Sequence, residues 1–297
     1  VLLLFAVSAA LWGGSYLFIK VALEDDVSEG VILFTRAFFG ALVLVPIAVR
    51  SDALRPLLDR KGWLLVLAVV QVVVPFTLIT VGENWIDSGL TGILISAAPI
   101  FLALVAPRLD PEERSTGFAA VGIAVGMAGV VLLLITDLGG VGGSAVIGGL
   151  MILAAAATYA FAPLIFKRRF AGIPPVGAVS GVMLVGSLVF LPAAAVSLPT
   201  HSLQPETWLS LIVLGAGGTG VSFYCFYELI NEVGAARASL VAYTAPIFAV
   251  IYGVTLLDEP FTLWALLGMA LIFGGSWLAA RRPQGVEAVS ATPARRP

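Results

Sequence analysis

Four prolines lie inside long apolar runs: Pro75, Pro99, Pro163 and Pro246. A proline within a helix strips the carbonyl four residues earlier of its donor and lets the chain bend there. The carbonyls released belong to Gln71, Ile95, Tyr159 and Ala242. Gln71, Ser96, Tyr159, Tyr243 and Thr244 stand at or beside them, Ser222 and Tyr224 belong to the eighth apolar run, and the first run adds Trp12 and Tyr16. Acceptors, hydroxyls, one amide and aromatic faces suit reversible binding of a small amphipathic molecule through an ammonium or hydroxyl group. They are the candidate substrate-binding residues, and the four prolines are candidate kink or gating points. Packing alone is the competing role for each proline; the matched pair Pro99 and Pro246 favours function. Gln71 leads the set, because an amide midway along an apolar run is costly without a partner. A structural hydrogen bond between helices is the competing role there.

Bond-breaking chemistry finds no support. Cys225 is the single cysteine and His201, the single histidine, lies in a polar stretch. Gly-x-Ser-x-Gly, His-Glu-x-x-His and Cys-x-x-Cys patterns are all absent from the sequence. No catalytic residue, metal or cofactor is expected, and no basic patch suggests nucleic acid. The ionisable residues within apolar runs fall toward their ends. Lys20 and Arg36 are expected to snorkel to the surface, with Glu83 pairing with either. Lys167 and Glu228 lie toward the opposite surface. No carboxylate marks a clear midplane position, which leaves uniport or exchange open and weakens carboxylate-based proton coupling.

The elements that must position these residues follow from composition. Of 297 residues 60% are hydrophobic and 11% charged, and the mean hydropathy is +1.05. That much apolar surface calls for lipid as its solvent, where only helices or closed barrels satisfy the backbone. Runs of about 20 residues without strict alternation read as helices. Ten spans are expected: 2–22, 29–49, 62–83, 87–107, 115–136, 145–167, 175–196, 206–230, 235–256 and 261–280. The first is read as a retained helix rather than a cleaved signal, and 283–297 as a disordered cytoplasmic tail. With the N-terminus inside, 14 of the 16 Lys and Arg residues fall on cytoplasmic segments. The external loops carry Glu24, Asp25, Asp26, Asp137, Asp258 and Glu259. This sorting obeys the positive-inside rule and places both termini in the cytoplasm.

The chain also repeats itself. Ala98-Pro99-Ile100-Phe101 recurs as Ala245-Pro246-Ile247-Phe248, an offset of 147. Lys20 pairs with Lys167, Trp12 with Tyr159 and Glu112 with Glu259 at the same offset; Pro46 with Pro192, Trp63 with Trp208 and Glu83 with Glu228 follow within two residues of it. Five helices per half is an odd number, so the second half enters the membrane inverted. The expected fold is an all-α polytopic membrane protein of ten transmembrane helices in two inverted five-helix repeats, 1–140 and 141–282, with a substrate site near the repeat interface. Gly122-x-x-x-Gly126, Gly268, Gly274 and Gly275 are expected to pack helices within the bundle.

Trp12-Gly13-Gly14, the two Ala-Pro-Ile-Phe sequences, and Leu257-Asp258-Glu259-Pro260 followed by Gly268 and Gly274-Gly275 resemble the drug/metabolite transporter superfamily, in particular its ten-helix EamA-type members. The likeness covers nearly all of residues 1–282 and is nearest to bacterial amino-acid exporters of the YddG type. Tyr159-Ala160-Phe161 departs from the pattern, standing where a second Trp-Gly-Gly would fall. The resemblance implies export of a small metabolite, an aromatic or other neutral amino acid, across the bacterial inner membrane by alternating access. It implies a monomer in lipid, with helices one, three, four, six, eight and nine around the site. Export of another metabolite or drug is the alternative; a receptor or an intramembrane enzyme is the alternative of a different class.

Overall fold

The computed structural model describes residues 1–109, 117–138 and 142–280, and these are helical with short connections and no strand. Ten rods follow in chain order. They are α1 (Leu2–Glu24), α2 (Glu29–Arg50), α3 (Arg55–Gly82), α4 (Ser88–Ile95 and Ala98–Leu109) and α5 (Gly117–Leu133, continued by Leu134–Leu138). The others are α6 (Gly143–Arg169), α7 (Pro175–Val196), α8 (Pro205–Val233), α9 (Val241–Leu256) and α10 (Leu263–Ala280). Eight rods are long and apolar enough to cross a bilayer; the apolar helices Val241–Leu256 and Leu263–Ala279 are shorter. At 1.5 Å per residue the 16 residues of α9 rise about 24 Å, and the turn Ala235–Ala238 precedes them. The chain is an all-α polytopic membrane protein. Glu112, Arg114 and the tail 283–297 lie outside the described residues.

The expected spans fall on these rods with ends shifted by a few residues. The largest shift is at α3, which starts at Arg55 because Pro56, near the start of a 3-10 turn, supplies a fixed φ and needs no donor. The released carbonyls leave local marks. The rod α4 breaks at Ser96–Ala97, before Pro99, and α6 breaks at Ala160, before Pro163. Pro75 follows a π-helical stretch, Val69–Val73, whereas Pro246 is carried inside a continuous α9. Further π-helical stretches occupy the end of α5, Leu134–Leu138, and α8, Val213–Val221.

The largest packing contacts share one pattern. α1 packs on α8 and α9, and α6 packs on α3 and α4. α2 meets α8 as α7 meets α3, while α2 with α7, α4 with α9 and α5 with α10 pair directly. Exchanging every rod for the one five places along leaves this pattern unchanged, and it takes α3 with its π stretch onto α8 with its own. At the α5–α10 seam the backbones nearly touch. A methyl group at Gly122 would stand 2.4 Å from the Ala279 nitrogen and 2.6 Å from the Gly275 carbonyl oxygen. Gly122, Gly126, Gly268 and Gly275 therefore pack within the bundle, as the sequence leads one to expect, whereas Gly274 faces away from the seam and does not.

Candidate functional site

Within the bundle, side chains of five rods converge below the end that carries the acidic loops. Arg36 lies about 10 Å along α2 from Glu29 and is only 7% exposed. Its guanidinium carbon stands 3.7 Å from the centroid of the Phe76 ring on α3. Its Nε donates to Thr219 Oγ1 on α8 at 3.4 Å, and Thr219 donates in turn to the Leu214 carbonyl at 3.1 Å. The π-helical stretch of α8 makes this approach possible. A methyl at Gly215 would stand 2.8 Å from the Thr35 carbonyl oxygen, and one at Gly220 would stand 2.6 Å from Val43 Cβ. Without those glycines α2 could not lie close enough for Arg36 to reach Thr219.

Glu83, at the end of α3, is fully buried and lies within electrostatic reach of Arg36. Phe76, Thr80 and Glu83 follow the i, i+4, i+7 spacing that lines one face of a helix. Lys20, on α1, donates to the carbonyl oxygens of Glu83 at 3.0 Å and Ile86 at 3.2 Å, a cation set against a helix C-terminus. It does not bind the Glu83 carboxylate. Among the described residues, both Glu83 carboxylate oxygens, Arg36 Nη1 and Thr80 Oγ1 are buried without a hydrogen-bond partner. Tyr16 from α1 and Tyr159 from α6 lie within electrostatic reach of Arg36, and Tyr16 also within reach of Glu83. Burying polar atoms unpaired costs several kcal/mol for a charged group, so a native protein keeps such atoms where something can pair with them.

The structure thus alters two expectations: Arg36 does not reach the surface but is buried, and the Glu83 carboxylate pairs with neither Lys20 nor Arg36. The snorkelling rule misses the first because an arginine seven residues into a span is near enough to the interface to reach it. Only the facing Phe76 and Thr219, remote in sequence, turn it in.

The other candidates distribute as follows. Tyr16 and Tyr159 come together at this cluster. Trp12 packs on Phe223 and Phe226, with ring centroids 5.4 and 4.9 Å away. Gln71 is half-buried within the π stretch of α3. Ser96 donates to the Ile93 carbonyl and Ser222 to the Gly218 carbonyl, each within its own rod. Tyr243 meets Phe273 edge-on, with centroids 5.8 Å apart. Thr244 donates to the Leu240 carbonyl at 3.1 Å. Tyr224 is exposed and lines a shallow recess with Ile47, Arg50 and Ser51 at the basic end.

Polar links between loops and rod ends hold the acidic end together, and three of them are as follows. Lys20 supplies the first. In the second, Glu259 accepts from the backbone N–H of Ser88 at 2.7 Å and of Gly89 at 2.9 Å, capping the start of α4 from the α9–α10 loop. In the third, Asp25 accepts from Thr207 Oγ1 at 2.7 Å and from the Gln204 N–H at 3.1 Å. A recess of about 240 Å³ opens on this end, lined in part by Trp85, Asp87, Asp137 and Glu259, and lies apart from the cluster.

Known proteins place this architecture. The model of the EamA-like transporter family matches residues 1–135 and again 146–281. The chain is 23% identical to the uncharacterized transporter YoaV of Bacillus subtilis (strain 168), over 90% of this chain and 92% of that protein. It is 26% identical to the uncharacterized inner membrane transporter YedA of Escherichia coli (strain K12), over 92% of this chain and 90% of that one. An uncharacterized transporter of Archaeoglobus fulgidus is 27% identical over 73% of this chain and 76% of its own. One solved crystal structure superposes with a TM-score of 0.67 at 21% identity, covering 94% of this chain and 95% of its own, a likeness of fold.

Proposed function

The chain belongs to the EamA-like transporter family and is a membrane transporter, and from that premise we propose that it exports neutral amino acids, aromatic ones included, across the bacterial inner membrane by alternating access. The inverted halves are residues 1–140 and 141–282, and the monomer is the working unit, with both termini cytoplasmic.

One observation carries the reading. The buried cluster draws Tyr16, Arg36, Phe76 and Glu83 from the first half and Tyr159 and Thr219 from the second. A substrate held there sits at the interface of two inverted halves, where tilting one against the other exposes it to either side in turn. The polar links of the acidic end form the gate on the external side; the breaks before Pro99 and Pro163 give the rods places to bend. Gln71, Ser96, Ser222, Tyr243 and Thr244 line the path on the cytoplasmic side of the cluster. The name of YedA as an inner membrane transporter supports the location, and the resemblance to amino-acid exporters supports the substrate and the direction.

The test is uptake into proteoliposomes of radiolabelled amino acids, nucleosides and sugars, with and without a proton gradient. Saturable uptake of a neutral amino acid, absent from empty liposomes, is the expected result. Movement of a nucleoside or sugar with no amino acid would replace the substrate.

A further inference from the structure

We infer that Arg36 and Glu83 form a two-ended clamp for a zwitterion: the Arg36 guanidinium takes the carboxylate and the Glu83 carboxylate takes the ammonium. This assigns residues and a charge pattern to the substrate site and rests on the amino-acid reading above.

The argument is one of unspent hydrogen-bonding capacity. Arg36 uses Nε on Thr219 and its face on Phe76, which leaves Nη1 buried and unpaired among the described residues. Glu83 leaves both oxygens unpaired at zero exposure. The two groups feel one another's charge, yet no ion pair joins them among the described residues. Lys20, whose charge acts on Glu83 more strongly than that of Arg36, points its ammonium at two backbone carbonyls rather than at the carboxylate.

A guanidinium and a carboxylate within reach of each other's charge and not paired set a positive wall against a negative one in a closed site, which a substrate enters as the two halves part. A simple amine would satisfy Glu83 and leave Arg36 bare; a simple carboxylate would do the reverse. A molecule with both charges a few ångströms apart satisfies both, and an α-amino acid is the smallest common one. Guanidinium–carboxylate pairing is also the strongest of the charge-assisted hydrogen bonds on offer. Thr80 adds an unpaired hydroxyl one turn from Glu83, and Tyr16, Tyr159 and Phe76 supply aromatic faces for the remainder of the substrate.

Competition against uptake of a radiolabelled amino acid tests this, with four probes: L-phenylalanine, its methyl ester, phenethylamine and 3-phenylpropionate. With the wild-type chain only the zwitterion is expected to compete well, and the other three at least tenfold more weakly. Arg36→Gln is expected to raise the half-saturating concentration about tenfold or more and to abolish discrimination against the ester and the amine. Glu83→Gln is expected to abolish discrimination against 3-phenylpropionate. Trp264→Ala, at an exposed site on α10, serves as the control for expression and insertion.

Equal competition by ester, amine and amino acid on the wild type overturns the clamp, as does unchanged discrimination in both variants; amino-acid export would stand in either case. Should another solute prove to be the substrate, the same analogue series is built on it. A need for both charges then keeps the clamp and removes the amino acid, while a singly charged or neutral substrate removes both. If the variants do not insert, the wild type alone decides, through the shift in its melting temperature in detergent with each probe. Stabilisation by phenylalanine and not by its ester or amine supports the clamp; equal shifts, or none, overturn it.

Discussion

Arg36 lays its guanidinium on the ring of Phe76, with 3.7 Å from the central carbon to the ring centroid. The contact joins α2 to α3 at the depth where Thr219 of α8 also reaches the same side chain. A guanidinium away from water gains from an aromatic face and from a planar fork of donors, and a lysine ammonium offers neither the fork nor the flat stacking surface.

Phe76→Leu therefore keeps apolar bulk and removes the platform. Transport should weaken by about 1 kcal/mol, roughly fivefold in half-saturating concentration, with maximal rate and melting temperature little changed. Phe76→Tyr should retain wild-type behaviour. Concentration–rate curves in proteoliposomes check both, and equal kinetics for leucine and phenylalanine at this position would remove the stacking from the mechanism.

Glu259 caps α4 from a loop more than 160 residues away in sequence, with both carboxylate oxygens on backbone N–H groups. Glu259→Ala strips two donors of their acceptor at once and should cost about 1–2 kcal/mol. If the acidic end is the external gate, the variant should also label faster than the parent at a cysteine placed in the cluster when reagent is added from outside. A labelling rate unchanged by the mutation would remove Glu259 from the gate while leaving its capping role.

The two loop carboxylates at this end respond to pH in opposite senses. Hydrogen bonds first from Thr207 and then from the Gln204 N–H hold the Asp25 carboxyl below its usual range. A lowered folded-state value means stability that is present above the unfolded value of about 3.9 and is lost as pH falls through the folded value. Asp25→Asn should therefore flatten part of the acid limb of the melting curve. Burial, and next the charge of Glu259, push the Asp87 carboxyl up. Its contribution is full below the unfolded value and is lost as pH rises through the folded one, so Asp87→Asn should raise the melting temperature near pH 7 and leave it unchanged near pH 3. Melting scans from pH 3 to pH 7 on the two single variants separate these effects; the same sign of change in both would contradict the electrostatics.

The rods were legible in the sequence because lipid leaves the backbone only helices or closed barrels, and apolar runs of about 20 residues select the helix. Tyr16 and Tyr159, two of the candidates, lie within electrostatic reach of each other and of Arg36. Arg36 and Glu83 were visible as ionisable residues within spans, but their direction was not. Which face of a helix turns inward depends on partners such as Thr219, 183 residues away, and near a helix end snorkelling and burial predict the same sequence. The proline signal located the breaks at Ser96 and Ala160 but gave no warning of the paired π-helical stretches. The stretch on α8 goes with its glycine-rich packing against α2, whereas the one on α3 carries no glycine and runs into Pro75.

Adjacent glycines on α10 give the sharpest test of the packing. Gly274 faces open space: a methyl group there meets nothing within 4 Å. Gly275 lies against α5, where the same methyl would stand 2.4 Å from the Gly126 nitrogen and 2.6 Å from the Gly122 carbonyl oxygen, both backbone atoms that cannot rotate away. In a helix, alanine is intrinsically better than glycine by about 1 kcal/mol, so propensity alone makes both substitutions favourable. Gly274→Ala should accordingly be neutral or raise the melting temperature by a degree or more. Gly275→Ala must push α5 and α10 apart along their seam, and overpacking of this kind costs about 1–3 kcal/mol, which outweighs the propensity gain. Melting temperature and yield of monodisperse protein in detergent measure the difference between two changes one residue apart. Equal behaviour of the two variants would mean that α5 and α10 do not approach as closely as described.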